Sequence, residues 1–457
     1  MADYTGVWFL DPATFTPAIV PITRALIDSR DATGWSAGGS PPVIASSQTV
    51  VPLDLPDPLP HLFMHDWSSG CEIETTFQVD VTRAISLSED RRLLADRPTR
   101  TIHARYVGLN RVSTLKALMN LFRHGYTRCP VPVYTDHSAV SSASLKVVNC
   151  ETDYRRFFAG QRVVLCTFSK FGIPENVEFA QIDNVISGYL VLLNDLVNTS
   201  TTGARVYPLM DAEFEFALGA VLKSDQLSEM NLRLTEIPGP STMPATASGT
   251  PTGFEEYDDL PILAVHPEAS FDYHPGMIRA GSLEKQGRGR IVYVQGDAPQ
   301  ATYNLTYRGL SRAAVWPLVQ LSDSRRGRTR GFWLVSPQTM FNPTAITTAH
   351  VVVDIDGNIE DVETFFSSIA IVLDDGTITI RGISNVVLDG GEWRIDFDVA
   401  LTSAPALADV HRVTAAHRVR FQDDSRKETW YTDETCDITF EMQDLVEEKE
   451  VVLICLQ

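Results

Sequence analysis

IHARYVGLNRVSTLKALMNLF, residues 102–122, and TYNLTYRGLSRAAVWPLVQLS, residues 302–322, share the pattern Y-x-G-L-x-R. In the first stretch it is Tyr106, Gly108, Leu109 and Arg111; in the second, Tyr307, Gly309, Leu310 and Arg312. The two patterns lie 201 residues apart, and a further match keeps that offset: Ile182, Asn184 and Val185 of QIDNV against Ile383, Asn385 and Val386 of GISNV. Later in each half, ARVYPLMDAEFEF answers HRVTAAHRVRF, with Phe214 against Phe421 at an offset of 207. Several matches in one order at nearly one spacing mark an internal repeat. The sequence therefore predicts two tandem, divergent copies of one domain.

Each copy follows the same order of elements. A long β segment comes first, EIETTFQVDVTRAISL in one copy and GRGRIVYVQ in the other. A strand then runs into Y-x-G-L. Asn110 or Ser311 follows where a helix N-cap is wanted, since either side chain can accept from an orphan backbone N–H. A short helix is expected next. Leu115, Leu118, Met119 and Phe122 make one apolar stripe in the first copy; Val315, Leu318 and Val319 do so in the second, with Pro317 placed in the first turn. Period-two strands come after, such as VEFAQIDNV and GTITIRGISNV, and EMNLRLTEI and DITFEMQDL near the ends. Asp375-Gly376 and Asp389-Gly390-Gly391 mark hairpin turns. The fold class is mainly β with one packed helix per domain, a curled sheet whose edge strands invite pairing with a neighbour.

Proline and glycine set the boundaries. Residues 38–60 hold six prolines and residues 237–251 four more, so both stretches read as extended connections. The expected organisation is an N-terminal extension at 1–61, a first β domain at 62–238, a linker at 239–262, a second β domain at 263–447 and a tail at 448–457. With 44% hydrophobic and 21% charged residues the chain is globular in composition. A net charge of −20 argues against broad or specific nucleic-acid binding. No stretch is long and apolar enough for a membrane anchor. The N-terminus lacks the basic and apolar regions of a signal peptide, so a soluble chain made in the cytoplasm is expected. The six cysteines form no C-x-x-C pair and read as buried small hydrophobes.

The catalytic patterns fail on context. Gly34-Trp35-Ser36-Ala37-Gly38 fits G-x-S-x-G, but the strand before it and the helix after it are missing. Thr347-Thr348-Ala349-His350 has the look of a protease histidine segment without a nucleophile segment downstream, so His350 reads as a strand residue. Asp354, Asp356, Gly357, Asn358 and Asp361 do not keep the order of a calcium loop; a hairpin turn at Asp356-Gly357 explains them. No enzyme, metal or cofactor is expected. The one dense basic run, Arg325, Arg326, Arg328 and Arg330, could meet phosphates; in so acidic a chain it is better read as a subunit interface facing carboxylates of a neighbouring copy.

VDVTRAISLSEDRRLLADRPTRTIHARY in the first copy, and SRRGRTRGFWL with DDGTITIRGISNV in the second, resemble the tail-tip proteins of tailed bacteriophages. These are the distal-tail and baseplate-hub proteins, often called minor tail proteins. The resemblance implies a structural virion protein assembled in the host cytoplasm. It implies tail-tube-like domains and, as partners, the tail tube, tape-measure and fibre proteins. Two tube-like domains per chain lead us to expect a homotrimer with pseudo-sixfold symmetry about an axial channel, with a hexamer as the alternative. A two-module carbohydrate-binding or glycan-processing β protein is the competing function.

Overall fold

The computed structural model describes residues 6–10, 17–21, 67–83, 89–95, 97–108, 129–168, 174–197, 203–214, 220–222, 228–237, 250–264, 271–278, 281–286, 289–294, 300–337, 339–354, 367–389 and 391–445. The chain divides into two compact units, Met1–Pro56 and Asp57–Gln457. In the first unit, β1 (Gly6–Leu10) and β2 (Pro17–Pro21) form an antiparallel hairpin.

The second unit is mainly β. Its first half holds β3 (Cys71–Thr76), β4 (Val79–Arg83), β5 (Glu89–Leu93), β6 (Thr99–Gly108), β7 (Cys129–Pro132), β8 (Ser138–Ala143), β9 (Val147–Cys150), β10 (Arg162–Phe168), β11 (Pro174–Ile186), β12 (Tyr189–Leu192), β13 (Arg205–Phe214), β14 (Ala220–Leu222) and β15 (Ser228–Glu236). β16 (Glu256–Tyr257) and β17 (Leu260–Ala264) lead into the second half. That half holds β18 (Phe271–Ile278), β19 (Gly281–Gln286), β20 (Gly289–Val294), β21 (Gln300–Ser311), helix α1 (Arg312–Arg325), β22 (Phe332–Val335), β23 (Asn342–Ile346) and β24 (His350–Asp354). It ends with β25 (Ser368–Leu373), β26 (Ile378–Asp389), β27 (Glu392–Phe397), β28 (Val410–Phe421), β29 (Ser425–Trp430) and β30 (Thr435–Asp444).

The order of pairing in the first half recurs in the second. β3 pairs with β6 and β6 with β15, as β18 pairs with β21 and β21 with β30. The hairpin β4–β5 has its counterpart in β19–β20. β15 also takes β13 and β14, as β30 takes β28 and β29. From β13 a second layer closes on itself through β10, β11, β12, β9 and β8. From β28 the same circuit runs through β25, β26, β27, β24 and β23, closed by the bridge Phe341–Val413. Each circuit is a small barrel with an apolar filling, which removes strand edges. Val148, Val163, Leu190 and Val206 fill the first, and Val351, Ile369, Ile395 and Val413 the second. The main core is shared: Ile73, Ile102 and Leu209 of the first half lie in one cluster with Leu305, Phe332 and Phe440 of the second.

Local chemistry explains the elements. β3 alternates buried and half-buried residues, the period expected of a strand with one face on a core. At the Y-x-G-L-x-R pattern of the second half, the register of β21 against β30 shifts between Tyr307 and Leu310. Gly309, at φ +62°, supplies the left-handed residue this bulge needs. Ser311 then caps α1, accepting from the Ala314 N–H at 3.4 Å. The turns at Asp375-Gly376 and Gly391 fall where expected, with Gly376 at φ +88° and Gly391 at +98°. The five described cysteines, Cys71, Cys129, Cys150, Cys166 and Cys436, are buried.

Three expectations need correction. The long segment from Glu72 is two strands, β3 and β4, separated by Phe77-Gln78, because β4 turns away to pair with β5. GRGRIVYVQ is not an opening strand but the second arm of the β19–β20 hairpin. Pro317 lies in the second turn of α1, not the first, and α1 runs for 14 residues. Its cost is the one N–H that proline cannot donate, and the apolar face of Val315, Leu318, Val319 and Leu321 packs into the shared core. The helix expected at 110–122, the Ser36 segment, the turn at Asp356-Gly357, Gly390, Cys455, the tail at 448–457 and most of the 237–251 connection lie outside the described residues.

Candidate functional site: the joint between the two halves

The two halves meet edge to edge. β29 of the second half pairs antiparallel with β3 of the first over six residues, from Ser425 opposite Thr76 to Trp430 opposite Cys71. Strand alternation puts Arg426, Glu428 and Trp430 of β29 on the buried face, while Lys427 and Thr429 lie on the other. A strand that buries two charges must find partners for both, since an unpaired ion in a core is far costlier than any single contact.

Residues of both halves supply those partners. Arg156, on the segment between β9 and β10, donates from Nη2 to both Glu428 oxygens at 2.6 and 2.8 Å. Arg426 donates from Nε to Glu428 Oε1 at 3.0 Å and from Nη1 to Asp323 Oδ1 of α1 at 2.6 Å. Trp430 Nε1 donates to Glu428 Oε2 at 3.1 Å. On the far side, Asp136 lies 3.4 Å from Arg156 Nη1 and 3.3 Å from Arg312 Nη1. Arg312 is the arginine of the second Y-x-G-L-x-R. It crosses to the first half, donating to the Thr135 and Tyr154 carbonyls, and its guanidinium carbon stands 4.4 Å from the Trp430 ring centroid. Arg155 extends the network to the exposed rim, reaching Glu434 at 2.9 Å and Glu151 at 3.1 Å.

The charges balance: Arg156, Arg312 and Arg426 face Asp136, Asp323 and Glu428, and all six are buried. Burial pushes the Glu428 carboxyl up, but Arg156 and Arg426 outweigh it and hold the group down at about 2. Burial lowers the Arg156 guanidinium, and Glu428 with Asp136 more than restores it. The neighbouring thiols of Cys71 and Cys436 are driven well above their ordinary value, chiefly by burial. The network sets three arginines against three carboxylates in the core, beside thiols that burial keeps protonated, an arrangement that clamps one half to the other.

The sign of its pH dependence follows. A carboxyl that titrates lower folded than unfolded adds stability that is complete above its unfolded value and fades as pH falls toward the folded one. The Glu428 contribution should be complete above about 4.5 and drain away on acidification to about 2. Urea unfolding of the native chain and Glu428→Gln at falling pH should show the two midpoints converging through that window. A constant gap would disprove the assignment.

The basic run expected at a subunit boundary is dispersed. Arg325 is buried at the end of α1 and donates to Ser324 Oγ and the Gly331 carbonyl. Arg326 is the left-handed C-cap of α1, at φ +53°. Arg328 is held by Asp424 of the same chain, Nη2 to Oδ2 2.7 Å, and its carbonyl accepts from Arg91. Arg330 follows in the next turn, half-buried. For Arg328, then, the counter-charge is internal. His350 opens β24 opposite Asp396, and the Thr347 hydroxyl accepts from the Ala349 and His350 N–H groups, so the segment is a side-chain-capped turn into a strand.

Sequence reasoning noticed Arg312 as part of a repeat but not as a bridge, and it missed Asp136, Arg156, Asp323, Arg426 and Glu428. One signal was available. Arg426, Glu428 and Trp430 alternate on one face of SRKETW, and a tryptophan sharing a face with two charges says that those charges are buried. Among the described residues, no group of three or more His, Cys, Asp or Glu side chains is placed to hold a metal ion. No known family model matches the sequence, and no curated protein matches it significantly.

Proposed function

We propose that residues 71–236 and 271–444 are divergent copies of one module, and that the chain is a non-enzymatic structural protein of a phage tail tip that assembles with itself into a ring. One observation supports self-assembly above the rest. The strands form a continuous antiparallel ribbon in the order β18–β21–β30–β29–β3–β6–β15–β14. Its last four members repeat the pairings of its first four. A module that joins its own copy side by side, through two different edges, has a head-to-tail contact, and head-to-tail contacts that close make cyclic rings.

The placement at a tail tip is supported by the sequence resemblance quoted above, which also names the neighbours: tail tube, tape-measure and fibre proteins, in a virion assembled in the host cytoplasm. Three chains of two modules present six similar modules to a sixfold tube, so the proposed assembly is a homotrimer around an axial channel. The half-buried Arg326, Arg328 and Arg330 remain candidates for its outer contacts. Among the described residues no helix is long and apolar enough to cross a membrane. Native mass measurement of the purified chain should give three times the chain mass, and averaged end-on images should show six lobes. Six chains per ring would replace the trimer by a hexamer; a monomer at micromolar concentration would overturn self-assembly.

A further inference from the structure

We infer that the ring is closed by a second joint, β18 of one copy pairing antiparallel with β14 of the next, in the register that the internal β29–β3 joint already uses. The inference rests on the self-assembly reading and adds the surfaces and the register. Among the described residues β14 pairs with β15 alone and β18 with β21 alone, so these strands are the two ends of the ribbon. An exposed strand edge is a row of backbone donors and acceptors aimed outward. Within one chain, the equivalents of these two edges are already joined to each other.

The equivalence can be followed residue by residue. In the first half Tyr106 faces Met230, and Met230 faces Ala220. In the second half Tyr307 faces Ile438, and Ile438 faces Glu428. Ala220 therefore occupies the place of Glu428, and Leu222 that of Trp430. On the opposite edge Ile102 faces Ile73, and Tyr303, 201 residues later, faces Pro275. Pro275 thus occupies the place of Ile73, and Tyr273 that of Cys71. The internal joint sets Glu428 opposite Ile73 and Trp430 opposite Cys71. Carried over to two molecules, it sets Ala220 opposite Pro275, Val221 opposite His274 and Leu222 opposite Tyr273.

Backbone pairing carries this joint. Pro275 brings no N–H, so it forfeits at most one ladder bond, and proline in a strand belongs at an edge. The charged clamp is not repeated there, since Ala220 stands where Glu428 stands; the second joint is therefore the weaker of the two, and dissociation of the ring precedes separation of the halves. The occupant is a second copy of this chain because only this chain's own β29–β3 joint supplies the matching register.

Paired residues in an antiparallel ladder have Cα atoms about 4.5–5.5 Å apart, within disulfide reach. The full-length double variant Leu222→Cys/Tyr273→Cys, oxidised mildly, should give chains linked to one another. Its yield should exceed that of either single variant, and of the out-of-register pair Leu222→Cys/His274→Cys, by about tenfold, because a one-residue slip turns the side chain to the other face. Hydrogen exchange on the unaltered chain is the second measurement: amides of 220–222 and of Tyr273 and His274 should gain protection in the assembly and lose it on dilution to the monomer. Oligomers of unchanged mass with neither the selective cross-link nor the protection would overturn this joint and leave self-assembly standing. A chain that stays monomeric would overturn both.

Discussion

Glu428→Gln should lower the free energy of unfolding by about 3–5 kcal/mol, the usual cost of removing one partner from a buried ion network. The carboxylate is wholly buried and is shared by Arg156, Arg426 and the Trp430 indole. Glutamine keeps the shape but cancels the charge, leaving three buried guanidiniums, of Arg156, Arg312 and Arg426, against Asp136 and Asp323 alone. With its carbonyl oxygen at the Oε1 position it still accepts from both arginines, but its NH2 then meets the Trp430 indole N–H and Arg156 Nη2, donor against donor. Surface carboxylates in the same sheet give the contrast: Glu441→Gln on β30, which is exposed, should change stability by no more than about 0.5 kcal/mol. Chemical denaturation of both variants at neutral pH decides the matter. A loss under about 1 kcal/mol for Glu428→Gln would mean that water reaches the network and that it does not clamp the halves.

Cutting the chain between residues 244 and 245 should have a larger effect still. The site lies in the Pro/Gly/Ser/Thr-rich stretch between β15 and β16, so the break cuts none of the described strands. The first fragment alone keeps Asp136 and Arg156 but loses Glu428, Arg312 and the β29 ladder that covers β3. It also loses the second half of a core that both halves build. It should fail to unfold cooperatively, and its β3 amides should exchange far faster than in the whole chain, because local protection follows the pairing that is gone. The two fragments produced together should co-purify as one species, with β3 protection restored. A first fragment that unfolds at the denaturant midpoint of the intact chain would show that the halves are independent domains and that the joint is incidental.

These two results would separate what holds the chain together from what joins one chain to the next. The internal joint has both a ladder and a neutralised set of six buried charges. The proposed external joint has the ladder alone. Affinity between copies is then limited, and mass action sets the fraction assembled at a given concentration.

Much of this architecture was legible in the sequence, for a local reason. Strand periodicity, the Ser311 cap and the glycine at 309 act within a few residues, so the mainly β class, the position of α1 and several turns followed from neighbours along the chain. The matches at offsets of 201 and 207 were equally visible, because matched residues need only be compared in a line. The partnership of Arg156 with Glu428 was not, since the two are separated by 272 residues and nothing local ties one to the other. Nor was the fate of Arg328, whose partner Asp424 lies 96 residues on; a basic cluster reads the same whether its counter-charge is within the chain or on a neighbour. Which edges pair is a property of the folded sheet: β3 and β29 pair although they stand near opposite ends of the described chain. The sequence by itself determined the mainly β class and the place of α1. Only the tertiary structure decided how the halves are joined and which charges are buried between them, because burial and edge pairing bring together residues that the chain keeps far apart.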